Sequence, residues 1–312
     1  MSRPLLTLPV LFTQSVVDKV ERLLEVLSAV ESDPLLGRMF VLHGGTALNL
    51  FHDEAPRLSI DIDLMFTGTV DLEMMREMRP QVDARFREVI AALGYTVQRT
   101  SDEHSGQTYR VKYGDEHIKV DITYLARVAL VDPERLRCDF ADPPVVFPTL
   151  RLPELAAGKI KAFMERRVAR DLYDLYRLSA KEAALLEDPL ARALAVRAVS
   201  VSDPFPRART PTQVLDVLAS PPSEYTEPLL AMLPVGGRPD YGEMLGAVRG
   251  WLSALDVATP AEAEYVRLLD EEAEYRPELL FAAWPDVLER AAMDPVMAWK
   301  IRNLSRRSWT GT

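Results

Sequence analysis

The chain has one cysteine, Cys138, among 312 residues. A single thiol cannot close an internal disulfide, and no cysteine-rich metal site can be built from it. No run of about 18 apolar residues occurs, so the sequence predicts no membrane span. The opening stretch, Met-Ser-Arg-Pro-Leu-Leu-Thr-Leu-Pro-Val, lacks a long apolar core and a small-residue cleavage site. It therefore reads as no signal peptide, and the cytoplasm is the expected compartment. Internal repeats and low-complexity tracts are missing as well. Positive charge is in deficit: 37 Lys and Arg stand against 47 Asp and Glu, a net charge of −10. A protein holding duplex DNA by overall charge alone would be basic. RNA is compatible with an acidic chain, because a local basic groove can act against the overall sign. The remainder, 48% hydrophobic and 27% charged, is a globular composition with enough length for one large or two ordinary domains.

The most informative stretch is 41–65. Ser59, Asp61 and Asp63 alternate there with Leu58, Ile60, Ile62 and Leu64. Period two predicts a strand with its polar residues on one face. Asp61 and Asp63 then point the same way, roughly 6–7 Å apart at the backbone. Like charges this close repel, and strands are poor in Asp. A divalent cation with hard oxygen ligands offsets that cost, and Mg²⁺ typically takes one or two carboxylates plus substrate phosphates. Upstream, Met39–Leu42 reads as a short buried strand and Ala47–Phe51 as helical, with Gly44-Gly45-Thr46 between them. A glycine pair between strand and helix lets backbone N–H groups approach an anion at the helix start, so Gly44, Gly45 and Thr46 are candidate phosphate ligands. His43 and His52, which flank this turn, are better read as packing or hydrogen-bonding residues than as catalysts. Arg57 can pair with Asp61 or Asp63, or contact a triphosphate; both readings stay open.

Around this centre the periodicity predicts helices at 13–31 and 71–93. The second is expected to end at Gly94 and to bury Met74, Met78, Val82, Phe86, Val89, Ile90 and Leu93. Strands are predicted at 95–99, 107–113 and 117–124, with Gly114-Asp115 as a hairpin turn. On the last strand Lys119, Asp121 and Thr123 face away from Ile118, Val120 and Ile122, so Asp121 is a polar-face carboxylate. Residues 131–152 are proline-rich and poorly periodic, and read as the domain junction. The remainder reads as helical: 154–179, 212–219, 226–233, 240–255, 260–273 and 285–307, with Trp251, Trp284 and Trp299 in the packing. On a continuous helix Asp174 would lie roughly 60° from Lys159 and Asp171 roughly 120°. That preference for Asp174 lapses if the helix breaks near Arg166. Arg166, Arg167 and Arg170 form a basic cluster, read as solvated or as a phosphate contact.

Gly44-Gly45 followed by Asp61-x-Asp63 on a strand resembles the signature of the polymerase-β-like nucleotidyltransferase superfamily. The fuller pattern, Gly44-Gly45-Thr46-Ala47-Leu48 with Arg57-x-Ser59-x-Asp61-Ile62-Asp63-Leu64, resembles the AbiEii/AbiGii-type nucleotidyltransferase toxins of type IV toxin–antitoxin systems. Lys159, Ala162, Arg170, Asp171 and Asp174 match a further pattern of that family, and Pro295 with Trp299-Lys300 resembles the close of such chains. The resemblance implies an α+β fold: a polymerase-β-like core with a mixed sheet over 1–150, then a helical domain over 151–312 that completes the active-site cleft. It implies transfer of a nucleoside monophosphate from a nucleoside triphosphate, with Mg²⁺ held by Asp61 and Asp63. Asp121 would be the third carboxylate, as metal ligand or general base. Lys159 would steady the triphosphate, and one of Asp171 and Asp174, with Asp174 favoured by the helix geometry, would be a further essential carboxylate. The implied acceptor is the 3′ end of tRNA, the implied donor often a pyrimidine nucleotide, and the result a block in translation. A cognate antitoxin is implied, with a small winged-helix regulator encoded nearby as its expected form. Ser59 matches a serine phosphorylated in some relatives, and a phosphate there would oppose Asp61 and Asp63. The rival readings are a nucleotidyltransferase acting on a small molecule such as an antibiotic, a nucleotide-binding regulator without turnover, and a kinase-like or protein-modifying use of the same site.

Overall fold

A computed structural model describes residues 3–103, 105–215 and 223–309. The chain divides into two compact units, Met1–Arg151 with Ala231–Gly237, and Leu152–Leu230 with Arg238–Thr312. Among the described residues no helix is long and apolar enough to cross a membrane.

The first unit is built on a mixed sheet. Its elements are β1 (Leu5–Leu6), α1 (Gln14–Ser32), β2 (Phe40–His43) and α2 (Gly44–Thr46), which continues in wider π-type turns through Ala47–His52. Then come β3 (Asp61–Phe66), α3 (Leu72–Ala92), β4 (Thr96–Glu103), β5 (Gly106–Tyr113) and β6 (Glu116–Thr123). β7 (Glu134–Cys138), β8 (Ala141–Asp142) and β9 (Val145–Thr149) complete it. Seven strands lie in the order β4-β5-β6-β3-β2-β9-β7, and β1 pairs separately with β8. β3 is antiparallel to β2 and parallel to β6, while β2 is parallel to β9. Alternation decides which face is covered. Ile62, Leu64, Tyr109, Val111, Ile118, Val120 and Ile122 are all buried, and α1 and α3 supply the covering apolar residues, among them Leu23, Leu24, Leu27, Phe86 and Ile90. The opposite face carries the polar residues of β3, β5 and β6.

Three expectations need correction in this unit. The 131–152 stretch contains the division between the units, at Arg151, but it is not irregular: it holds β7, β8 and β9, and β9 buries Val145, Phe147 and Thr149 in alternation despite Pro148. On α3 the buried methionine is Met75, and Met74 is 52% exposed. Asp71 caps that helix by accepting from the Met74 N–H, so Met74 sits in a solvent-facing first turn. The third concerns β3, whose regular strand begins at Asp61, so Ser59 precedes it. Burial pushes the Cys138 thiol up to about 11, which makes the sole cysteine a packing residue.

The second unit is helical: α4 (Leu152–Arg166), α5 (Ala169–Lys181), α6 (Pro189–Val201), α7 (Thr212–Leu215), α8 (Ser223–Leu230), α9 (Tyr241–Leu252) and α10 (Pro260–Arg267). α11 (Glu278–Phe281), α12 (Pro285–Ala292) and α13 (Pro295–Trp309) follow. The end of the helix predicted over 212–219 lies outside the described residues. The predicted 154–179 helix is two helices, separated at Arg167, whose φ of 53° is left-handed. Trp251 is buried, but Trp299 is 41% exposed. Its neighbour Lys300 shares the inward stripe of Met297, three residues earlier, and is buried in its place. The Lys300 ammonium donates to the carbonyls of Ser202 (2.6 Å) and Phe205 (3.2 Å).

The first unit depends on the contact between α3 and the sheet. The Phe86 ring is fully buried and stacks on Tyr109 with centroids 4.8 Å apart. Phe86→Ala should cost roughly 3–5 kcal/mol by the cavity it leaves. The check is urea unfolding followed by circular dichroism. A loss below about 1 kcal/mol would mean that the contact is not a core contact.

Candidate active site

The site starts from the β2–β3 pair. His43, the last residue of β2, lies opposite Asp63. The chain then turns at Gly44 with φ +75°, a left-handed conformation costly for any residue with a Cβ, and enters the helix. This turn brings the backbone against the carboxylate strand. A Cβ on Gly44 would lie 2.0 Å from Asp63 Oδ2 and 2.8 Å from its carboxyl carbon. Glycine is thus required twice, by conformation and by space. Two residues on, the Thr46 hydroxyl donates to the Asp61 carbonyl (2.5 Å) and is fully buried. The Thr46 side chain is therefore a clamp between turn and strand, and a phosphate would meet this turn through its backbone amides. The Asn49 side-chain amide donates to the Gly45 carbonyl (2.9 Å), which stiffens the same turn. His52 closes the helix: its Nε2–H donates to the Leu150 carbonyl (2.9 Å), and burial holds its pKa below the ordinary value. It acts as a neutral tie between the helix end and the end of β9.

Along β3, Ile62 and Leu64 are buried while Asp61 and Asp63 are partly exposed, so the two carboxylates share the open face. β6 adds the third. Asp121 is in register with Asp63, and Lys119 with Asp61. Asp121 Oδ1 accepts from the Thr108 hydroxyl (2.6 Å), and its Oδ2 is bridged by the Lys119 ammonium. Among the described residues no three carboxylate, imidazole or thiol groups are drawn together as a ready-made metal cage. What the open face offers is two hard-oxygen ligands on one strand and a third one strand over. That donor set suits a divalent cation that keeps water and substrate oxygens as its other ligands. Asp121 would have to exchange Lys119 for the metal to join it.

Arg57 and Ser59 lie just before β3, and both are buried. The Arg57 guanidinium donates to the Leu58 carbonyl (3.4 Å) and lies 3.7 Å from the Met232 sulfur. The Leu58 N–H donates to the Met232 carbonyl (2.8 Å), so the Ala231–Gly237 segment fastens the chain directly ahead of the carboxylates.

In the helical unit, the break at Arg167 voids the helical-wheel argument, because Lys159 is on α4 and Asp174 on α5. The fold nevertheless pairs them: Lys159 Nζ is 2.6 Å from Asp174 Oδ2, and both side chains are buried. Asp171 instead takes a two-pronged contact from Arg166, at 2.9 and 3.1 Å. Such a buried Lys–Asp pair is retained only where each charge has its partner. Sequence reasoning did not find Thr108 and Lys119 as the partners of Asp121. Their link depends on strand register, which leaves no local signal.

Gly44→Ala tests the turn. The new methyl group must displace the Asp63 carboxylate, and the left-handed φ adds about 1–2 kcal/mol of strain. Any catalysis at this turn should fall about 100-fold, as for reacting groups misplaced by an ångström, with the circular dichroism spectrum retained. Activity within three-fold of the parent would show that the Gly44–Asp63 approach has no part in the chemistry.

A family model described as the nucleotidyl transferase AbiEii toxin of type IV toxin–antitoxin systems matches residues 25–247, well over half of the chain. Among solved structures, the nucleotidyltransferase toxin MenT4 of Mycobacterium tuberculosis H37Rv is similar, with a TM-score of 0.59 and 21% identity, over 88% of this chain and 94% of that one. At that identity the likeness establishes a shared fold, and the mixed sheet followed by helices agrees with it. No match was found among curated proteins. Together with the glycine turn and the paired carboxylates, the family match settles what kind of protein this is: the chain belongs to the AbiEii nucleotidyltransferase toxins of type IV toxin–antitoxin systems.

Proposed function

We propose that the protein transfers a nucleoside monophosphate from a nucleoside triphosphate, with a pyrimidine base preferred, to the 3′ acceptor end of tRNA, and so blocks translation. The observation that carries this reading is the contact of the Gly44 turn with Asp63, on a strand face that also presents Asp61. A phosphate cradle and two hard-oxygen ligands within touching distance suit a metal-bound triphosphate tail. When bound, Mg²⁺ supplies Lewis-acid neutralisation of the phosphate charge. Asp61 and Asp63 would hold it. Backbone amides of Gly44, Gly45 and Thr46 would seat phosphate oxygens. Asp121, beside Asp63, would act as third ligand or would take the proton from the attacking hydroxyl while pyrophosphate leaves. Lys159, paired with Asp174, is the helical unit's candidate cation for triphosphate charge.

Control is proposed at two levels. Type IV systems carry an antitoxin, and a winged-helix regulator encoded nearby is the form proposed for it. Ser59 is the proposed phosphorylation site: two added negative charges two residues from Asp61 would repel metal and nucleotide. At 7% exposure its hydroxyl must be uncovered before a kinase can reach it. Arg57, buried beside it, is proposed as an anchor of this segment.

Incubation of the purified protein with Mg²⁺, each labelled nucleoside triphosphate, total RNA and a panel of small hydroxylated acceptors tests the proposal. The expected result is label on the tRNA 3′ end with pyrophosphate released, most strongly from CTP or UTP, and none with Asp61→Asn. Label on small acceptors alone would move the function to a small-molecule transferase. Tight nucleotide binding with no pyrophosphate would make it a regulator without turnover.

A further inference from the structure

The sheet order flanks the β3 carboxylates with two different surfaces. On the β2 side lies the Gly44 turn. On the β6 and β5 side the open face is cationic. Registered pairs there run outward from the site: Asp121 beside Thr108, then Lys119 beside Arg110, then His117 beside Lys112. Successive rungs are roughly 6–7 Å apart along the strands and neighbours about 4.8 Å across them. The placement is secured by alternation, since Tyr109, Val111, Ile118 and Val120 point into the core. Arg110, Lys112, His117 and Lys119 are exposed. No ion pair among the described residues engages Arg110 or Lys112. In the same chain, of net charge −10, Arg76, Arg135, Arg137, Arg192, Arg267 and Arg276 are each ion-paired. The hairpin's own carboxylates lie elsewhere: Asp115 at the tip, and Glu116 on the alternate parity, paired with Lys19. The next strand presents the uncharged Thr96 and Gln98 toward Lys112 and Arg110.

From this arrangement we infer that the β5–β6 strip docks the phosphodiester backbone of the RNA acceptor, so that its 3′ end enters the carboxylate site from the side opposite the glycine turn. The inference rests on the RNA-acceptor reading above and adds where the acceptor lies. Unpaired cations in line with the site suit a polyanion, and each phosphate they neutralise releases a condensed counterion. Tyr109, Val111 and Tyr113 alternate with the cations rather than sharing their face, so among the described residues the strip's one ring is the His117 imidazole, beside Lys112. Recognition along it is of backbone charge, independent of sequence.

The test measures binding of a fluorescein-labelled tRNA transcript by anisotropy across a salt series, in parallel with labelling assays. Arg110→Glu/Lys112→Glu should weaken binding about ten-fold or more and flatten the slope of log affinity against log salt by about 1.4, or 0.7 per lost single-strand contact. The milder Arg110→Gln/Lys112→Gln pair should flatten it equally, and nucleotide affinity should not change in either. Arg135→Glu/Arg137→Glu, on β7 at the far edge of the same sheet, carries the same charge change and should leave the slope alone. Equal weakening by both reversed pairs, or none by the strip pair, overturns the inference. Loss of antitoxin binding with tRNA binding intact also overturns it and makes the strip a protein interface. Labelling of tRNA by the strip variants at the parent's rate would sink the inference and spare the acceptor reading. Binding through the strip without any labelling would do the reverse.

Discussion

Asp61 and Asp63 are held on one strand face by a turn that touches them. Two carboxylates roughly 7 Å apart repel by about 2 kcal/mol at an effective dielectric near 20. One hydrogen bond typically returns about 0.5–1.5 kcal/mol. The Thr46–Asp61 clamp alone therefore cannot secure the pair, and the rest comes from the sheet. β3 is hydrogen-bonded on both sides, to β2 and β6, and its alternate residues are locked in the core. The strand cannot twist to separate the charges without exposing Ile62 and Leu64. Its remaining freedom is to accept a cation. The same reasoning gives Gly44 its place, because any side chain there would occupy the space of the Asp63 carboxylate.

The third carboxylate follows a different economy. Asp121 is satisfied by Thr108 and Lys119, so it adds little to the repulsion on β3. The Lys119 ammonium on Asp121 also marks the border between two surfaces. On one side lie the groups suited to a triphosphate, and on the other the strip that carries Arg110 and Lys112. The helical unit repeats the economy with Lys159 and Asp174 in a buried pair and Arg166 gripping Asp171.

Much of this was legible in the sequence wherever the signal was local. Period two identified the shared face of Asp61 and Asp63, and the glycine pair between strand and helix located the turn. β6 was readable from Ile118, Val120 and Ile122, which set Asp121 on the polar side. Non-local features were not readable. The partnership of Asp121 with Thr108 and Lys119 depends on strand register, and that of Lys159 with Asp174 on how two helices pack after a break. Prolines hid β7, β8 and β9, because Pro143, Pro144 and Pro148 interrupt an alternation that Val145 and Phe147 still obey. Thr46 had a motif position but no sequence signal that its hydroxyl faces the Asp61 carbonyl rather than a ligand. Trp299 and Lys300 show that residue type misleads when helical phase decides burial: the indole is exposed and the ammonium is covered.

The central claim is that Asp61 and Asp63 together grip a divalent cation carried by a nucleotide at the Gly44 turn. Crystals grown with Mn²⁺ and a non-hydrolysable nucleoside triphosphate test it through the anomalous signal of manganese. The account predicts a peak bonded by both carboxylates, with the triphosphate against the amides of Gly44 and Gly45. A nucleotide bound elsewhere, or manganese held without either aspartate, would contradict it.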